Sequence, residues 1–289
     1  MFSRPTMHMP YDGSSKPFTI GLKPLELSEW LEVDDQWAHY IAEKQRFYSE
    51  IPDKVLVAEN NTADAQQEVF NLVVEHLATH FPQINVQEHE GFEAGPLARA
   101  ALLVQEDLVL MRKSPEGWRL VAASLCFPSA WNLLEKFRKP LHQIHAPVPE
   151  FGEGTRNASL IERMFDNLRV ENPVIRWNWS LHDDMKLYHP HSNSGPGRRF
   201  GEHDLRGQVI LRLERQTLRK LPKSGDILFT IRIQVNPLEV LEKLAEGANL
   251  ALAIDQQLSD MTPPQLDYKG LSDERLRLSA RLKQIGQKQ

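Results

Sequence analysis

Two stretches near the middle of this 289-residue chain alternate apolar and polar side chains in a way no helix can use. In VILRLE (209–214), Val209, Leu211 and Leu213 share one face, and Arg212 and Glu214 share the other. In ILFTIRIQV (227–235), Ile227, Phe229, Ile231 and Ile233 oppose Thr230, Arg232 and Gln234. Period two is the signature of strands with one face on a core. A third, aromatic strand is expected at RWNWSL (176–181), and QEDLVLMR and WRLVAASLCF flank the turn residues Ser114-Pro115-Glu116-Gly117, which predicts a hairpin over 105–127.

Helical periodicity fills the remainder. Trp30, Trp37, Tyr40, Ile41 and Phe47 suggest one or two aromatic-faced helices ended before Pro52. Asp64 with Gln67 resembles a capping box, opening a helix with the face Val69, Phe70, Val73, Leu77 and Phe81; Ser159 with Glu162 repeats the pattern before Ile161, Met164, Phe165 and Leu168. Asn236-Pro237 with Glu239 starts a further helix, and residues 272–286 read as a charged, solvated one. Between hairpin and second helix lies CFPSAWNLLEKFRKPLHQIHAPVP (126–149), where Ser129 is the expected N-cap and Trp131, Leu134 and Phe137 share a helix face. These elements make an α+β plan, an antiparallel sheet with helical additions at both ends. We divide it into an N-terminal arm (1–20), one domain (21–255) and a C-terminal helical tail (256–289).

Several function classes lose their support. With 34 basic and 39 acidic residues the net charge is −5, so the whole chain carries no footprint of a nucleic-acid binder. No apolar run approaches the roughly 18 residues of a membrane helix. The sequence has no G-x-G-x-x-G, no phosphate loop and no G-x-S-x-G elbow. A single cysteine, Cys126, excludes an internal disulfide and any zinc site built on paired cysteines. A reducing, cytoplasmic setting is the expectation.

What remains is chemistry carried by histidine and arginine. Pro147 and Pro149 stiffen the backbone after His145, which presents that imidazole at a fixed angle; the plainer reading is a hydrogen-bonded structural histidine. His142 and His145, with His189, His191 and Asp183 or Asp184, allow a non-haem metal site. Between Pro196 and Arg232 stand nine basic residues against four acids. Arginines such as Arg212, Arg215 and Arg232 suit a carboxylated ligand in two-point geometry; the alternative is a solvated strand face paired with Glu214 and Asp226.

Residue order adds what spacing does not. The series QEDL (105–108), CFPSAW (126–131), IHAPVP (144–149), RWNWS (176–180) and LERQTLRKLPKSGDILFTIR (213–232), with PFTIGLKPL near the start, resembles the alpha-subunit family of haem-dependent oxidative N-demethylases over roughly residues 17–241. The resemblance implies a PAS-like sheet over 21–255 holding haem b, with its iron, and oxidative removal of a methyl group from a small N-methylated amine using dioxygen. It also implies formaldehyde release, and electrons from a separate flavin or iron–sulfur reductase. On that basis His145 is the axial iron ligand. Arg176 and Arg215 become candidates for the distal pocket or a propionate, Arg212 and Arg232 for propionates, and Trp177 for the porphyrin slot. Cys126 is the other haem-ligand option, though its place on an apolar strand favours a buried structural role. A haem-binding sensor or carrier without turnover is the alternative function, and a homodimer is a further expectation.

Overall fold

The computed structural model describes residues 7–14, 16–86, 95–202 and 204–287. Its strands are β1 (Lys23–Pro24), β2 (Leu56–Ala58), β3 (Asp107–Ser114), β4 (Gly117–Ser124), β5 (Val174–His182), β6 (Ile210–Lys220) and β7 (Ile227–Pro237). Among the described residues they form one sheet in the order β1-β5-β6-β7-β3-β4-β2, every pairing antiparallel. The long strands β4-β3-β7-β6-β5 are its body, with the β3–β4 hairpin on one side and β5–β7 on the other. The expected α+β plan, an antiparallel sheet with helical additions, is what the chain adopts.

Helices cover both faces. On one face lie α1 (Trp37–Glu50), α2 (Pro52–Val55), α5 (Leu133–Lys136), α6 (Leu141–Ile144) and α7 (Arg156–Asn167). They pack Tyr40, Phe47, Leu141, Phe151, Ile161 and Phe165 against Val109, Met111, Leu218, Ile231 and Ile233. On the other face α3 (Ala63–His80) meets Leu108, Leu110 and Leu228 through Val69, Val73 and Leu77, with α4 (Pro96–Ala101) beside it. Further along that face α8 (Gly247–Asp260), α9 (Pro263–Tyr268) and α10 (Arg275–Gly286) bury Leu250, Ile254, Leu278 and Leu282 against Trp179, Leu211 and Leu213. Register fixes the sorting, because a strand sends alternate side chains to opposite faces.

Several local expectations are corrected. The helix after Pro128 is a single turn capped by Asn132, whose side chain accepts from the Leu134 amide; Leu134 is exposed, and Ser129 lies outside it, bonded to Arg212 instead. α3 starts at Ala63, so Asp64 sits inside its first turn, and α7 is capped by Thr155. Glu162, expected in a capping box, accepts from the Trp118 amide at 3.2 Å and ties α7 to the hairpin. Asn236-Pro237 ends β7 and leads into a 3-10 turn, Leu238–Lys243. The final helix is docked, not solvated: Leu278, Arg281, Leu282 and Ile285 are buried. The proposed boundary at 255/256 falls inside α8. The arm, where described, lies on the molecule itself, with Tyr11 buried and its carbonyl accepting from Gln257 at 2.9 Å.

Candidate haem-binding site

His145 caps the one-turn helix α6, which starts at Pro140 because that residue lacks an amide hydrogen to lose. Its ring Nδ1 lies 3.0 Å from the Leu141 carbonyl. A carbonyl only accepts, so Nδ1 carries the proton and Nε2 holds a free lone pair. Burial pushes the imidazole pKa down to about 4; the Leu141 bond opposes the shift, and the charges of Arg176 and Lys136 add to it. The ring is therefore neutral near pH 7, the state that ligates iron. The backbone around it is held as well: Lys136 Nζ donates to the Ile144 carbonyl at 2.6 Å, and Val148 N to His145 O at 2.8 Å. His142, one turn earlier and half-buried, has no ring hydrogen bond among the described residues.

The sheet face on which α6 packs, at β4, carries the complementary half farther along, on β5 and β6. Strand register places Arg176 opposite Gln216 and Ile231 in one row, and Asn178 opposite Glu214 and Ile233 in the next. Side chains directly opposite on one face stand about 5 Å apart, so Arg176, Asn178, Glu214 and Gln216 form a two-by-two polar block. The next row is apolar, with Val174, Leu218 and Phe229, and Val235 lies beyond the block. Phe229, Val235, Val174, Ile144, Val148 and Met164 are only partly buried, unlike the closed core beside them.

Within the block, Glu214 is 6 % exposed and accepts from Asn178 Nδ2 at 3.2 Å and Gln216 Nε2 at 2.7 Å. Arg176 reaches the Thr19 carbonyl at 3.3 Å, while its Nε is buried with no partner. Burial lowers the pKa of Arg176, against the pull of Glu214. A cavity of about 190 Å³ opens at the β5 edge beside Arg176 and Asn178, closed by Phe18 of the arm and Lys269 of the C-terminal segment. Lys269 Nζ donates to Trp179 O at 2.7 Å, and burial pushes its pKa down to about 8. Tyr268 packs edge-on against Phe18 at 5.9 Å.

The remaining arginines are placed elsewhere. Arg212 shares the His145 face but is fully buried at its far end. Its Nε donates to Ser129 Oγ at 2.8 Å, Nη1 to Lys186 O, and Nη2 to the carbonyls of Phe127, Pro128 and Leu187. These bonds staple the CFPS loop to residues 186–187 and leave little for a propionate. Arg215 and Arg232 are paired across β6 and β7 on the opposite face. Arg215 is held by the carbonyls of Glu29 and Trp30 and by Glu32 at 3.1 Å; Arg232 stacks on Tyr40 and meets Asp34 at 2.7 Å. Trp177 also faces that side, beside His8 and Lys23. The sheet therefore separates Arg215, Arg232 and Trp177 from His145.

QEDL and CFPSAW prove to be scaffold. Asp107 accepts from the Cys126 and Phe127 amides at 2.8 and 2.9 Å, and Gln105 bonds Asp34. Burial of Cys126, with the charge of Asp107, holds its thiol well above the usual range and so protonated, which is unsuited to thiolate ligation. Among the described residues no group of three His, Cys, Asp or Glu side chains converges as a metal site; His189 pairs with Asp184 at 3.2 Å and His182 with Arg199.

Asn178, Glu214, Gln216 and Lys269 escaped sequence reasoning as site residues. For Glu214 and Gln216 the signal was the polar phase of the β6 alternation, read as a solvated face; Asn178 and Lys269 had none. Among the described residues no helix is long and apolar enough to cross a membrane.

A neutral, tautomer-fixed histidine facing a polar block in an apolar sheet is what an axial haem ligand and an opposing pocket require. In the comparison with protein families, residues 21–277 match the family described as Haem-dependent oxidative N-demethylase, alpha subunit-like, a span covering most of the chain. That description gives a haem-dependent oxidative function at family level, and an alpha subunit implies further subunits. The chain belongs to the haem-dependent oxidative N-demethylase, alpha subunit-like family.

Proposed function

We propose that this chain binds haem b between His145 and the β5–β7 face and oxidatively removes a methyl group from a small N-methylated amine. The carrying observation is His145, whose Nδ1 is committed to Leu141 and whose ring feels the charge of Arg176, on the same sheet face as the polar block around Arg176 and Glu214. When bound, haem supplies the reductive activation of dioxygen: one dioxygen, two electrons and two protons convert the N-methyl group to formaldehyde, releasing demethylated amine and water.

The chain's own residues do the rest. His145 would hold the haem iron through Nε2, and its Nδ1 bond to Leu141 fixes the orientation of the imidazole. Arg176, with an unpartnered buried Nε on the sheet side, would supply a positive charge and N–H donors to a haem carboxylate or to charge developing during the reaction. Phe229, Val235, Val148 and Met164 exclude water around the ring. Electrons come from a separate flavin or iron–sulfur reductase, since one chain with no nucleotide-binding motif has no evident route to a nicotinamide donor.

The experiment is turnover of haemin-reconstituted protein with dimethylamine, dioxygen and a chemical or protein reductant. Formaldehyde formed one-for-one with oxygen consumed is expected. A stable haem complex that releases none would assign the chain to haem sensing or carriage.

A further inference from the structure

Glu214 is a buried acid for which the axial ligand and the distal arginine provide no role. It sits in the second row of the polar block, on the His145 face, 6 % exposed. A buried carboxylate is ordinarily paired with a cation. Among the described residues Glu214 makes no ion pair; its protein donors are two neutral amides, Asn178 Nδ2 and Gln216 Nε2. Three cations feel its charge, Arg176, Arg212 and Lys269, and all direct their hydrogen bonds elsewhere: Arg176 to Thr19 O, Lys269 to Trp179 O, and Arg212 to Ser129 Oγ and the carbonyls around it. The carboxylate has about four acceptor positions, of which the amides use two.

We propose that Glu214 is the recognition group for the ammonium form of the amine, with Asn178 and Gln216 holding its two oxygens in place. The inference rests on the haem-dependent reading above and names the contact that selects its substrate. A small secondary ammonium has two N–H donors and one charge, which suits a carboxylate already holding one amide on each oxygen. Ile231 and Ile233, next along the same two rows, give its methyl groups an apolar wall. Arg176, Arg212 and Lys269 oppose a cation at longer range. Coulomb energy falls with distance, so contact with Glu214 outweighs more distant like charges. Selection then depends on charge as well as size, and a neutral molecule of the same shape leaves the acceptor positions unmet.

The test uses the whole chain reconstituted with haemin. Dimethylammonium chloride is titrated against the parent and against Glu214→Gln and Glu214→Asp, followed by the Soret shift and by calorimetry; dimethyl ether serves as the neutral isostere. The parent should bind dimethylammonium at least about tenfold more tightly than the ether. Glu214→Gln should lose about tenfold or more in amine affinity while taking up haem like the parent, and Glu214→Asp should keep the preference for the cation. Equal amine affinity in Glu214→Gln with haem uptake intact overturns the role of Glu214 and leaves the haem reading standing. If Glu214→Gln does not fold, the parent decides: failure to discriminate cation from ether overturns the inference. A parent that takes up no haem overturns the underlying reading, and this inference with it.

Discussion

The two faces of the sheet both bury charge, and they treat it differently. On the face carrying Arg215 and Arg232, each guanidinium finds a carboxylate and a backbone carbonyl oxygen. On the face below His145, among the described residues, Arg176 has no carboxylate partner and Glu214 has no cationic one. Matched buried charges specify a scaffold, because removing one partner strands the other in a poor solvent. Unmatched ones are retained only where a ligand completes them. Of the nine basic residues between Pro196 and Arg232, Arg215 and Arg232 pair with carboxylates on one face and Arg212 with carbonyls and Ser129 on the other.

Breaking the matched face should have the larger effect. Arg232→Met strands Asp34, which is itself buried, and should destabilise the fold by about 3–5 kcal/mol in chemical denaturation. On the other face, Arg176→Leu removes a guanidinium with a single 3.3 Å backbone bond and an orphaned nitrogen. It should change stability by less than about 1 kcal/mol while slowing turnover or loosening haem. A loss near 3 kcal/mol for Arg176→Leu would erase the distinction between the faces.

The smallest effect is set by pH. An ordinary histidine titrates near 6.5, whereas burial holds His145 near 4, so the folded ring refuses a proton that the unfolded chain accepts. Its contribution to stability is thus complete above about pH 6.5 and is lost as pH falls toward 4. Haem affinity should stay level from pH 8 to about 5, since protons compete for Nε2 only near pH 4. Half-loss of haem near pH 6.5, with circular dichroism unchanged, would place His145 in solvent.

Much of this was legible in the sequence. Alternation assigned β6 and β7 and told which residues share a face; Pro147 and Pro149 marked the stiff setting of His145. Register across strands was not legible, and it is what brings Arg176 and Asn178 beside Glu214 and Gln216. Alternation also leaves open whether a polar face meets water or a pocket, so Glu214 read as a surface partner of arginine. Alternation extends the face of Leu211 and Leu213 to Arg215, where a charge needs a buried partner, and Glu32 and the Trp30 turn supply it from far along the chain. Lys269 reaches the site through helix packing that no local pattern encodes.

The most direct measurement is a haemin titration of the parent and of His145→Ala, read in the Soret region. The parent should saturate at one haem per chain with a histidine-ligated spectrum. His145→Ala, folded by circular dichroism, should lose stoichiometric binding or pass to a different ligation state, while His142→Ala retains the parent spectrum. An unaltered spectrum and affinity in His145→Ala would contradict the placement of the haem beneath α6.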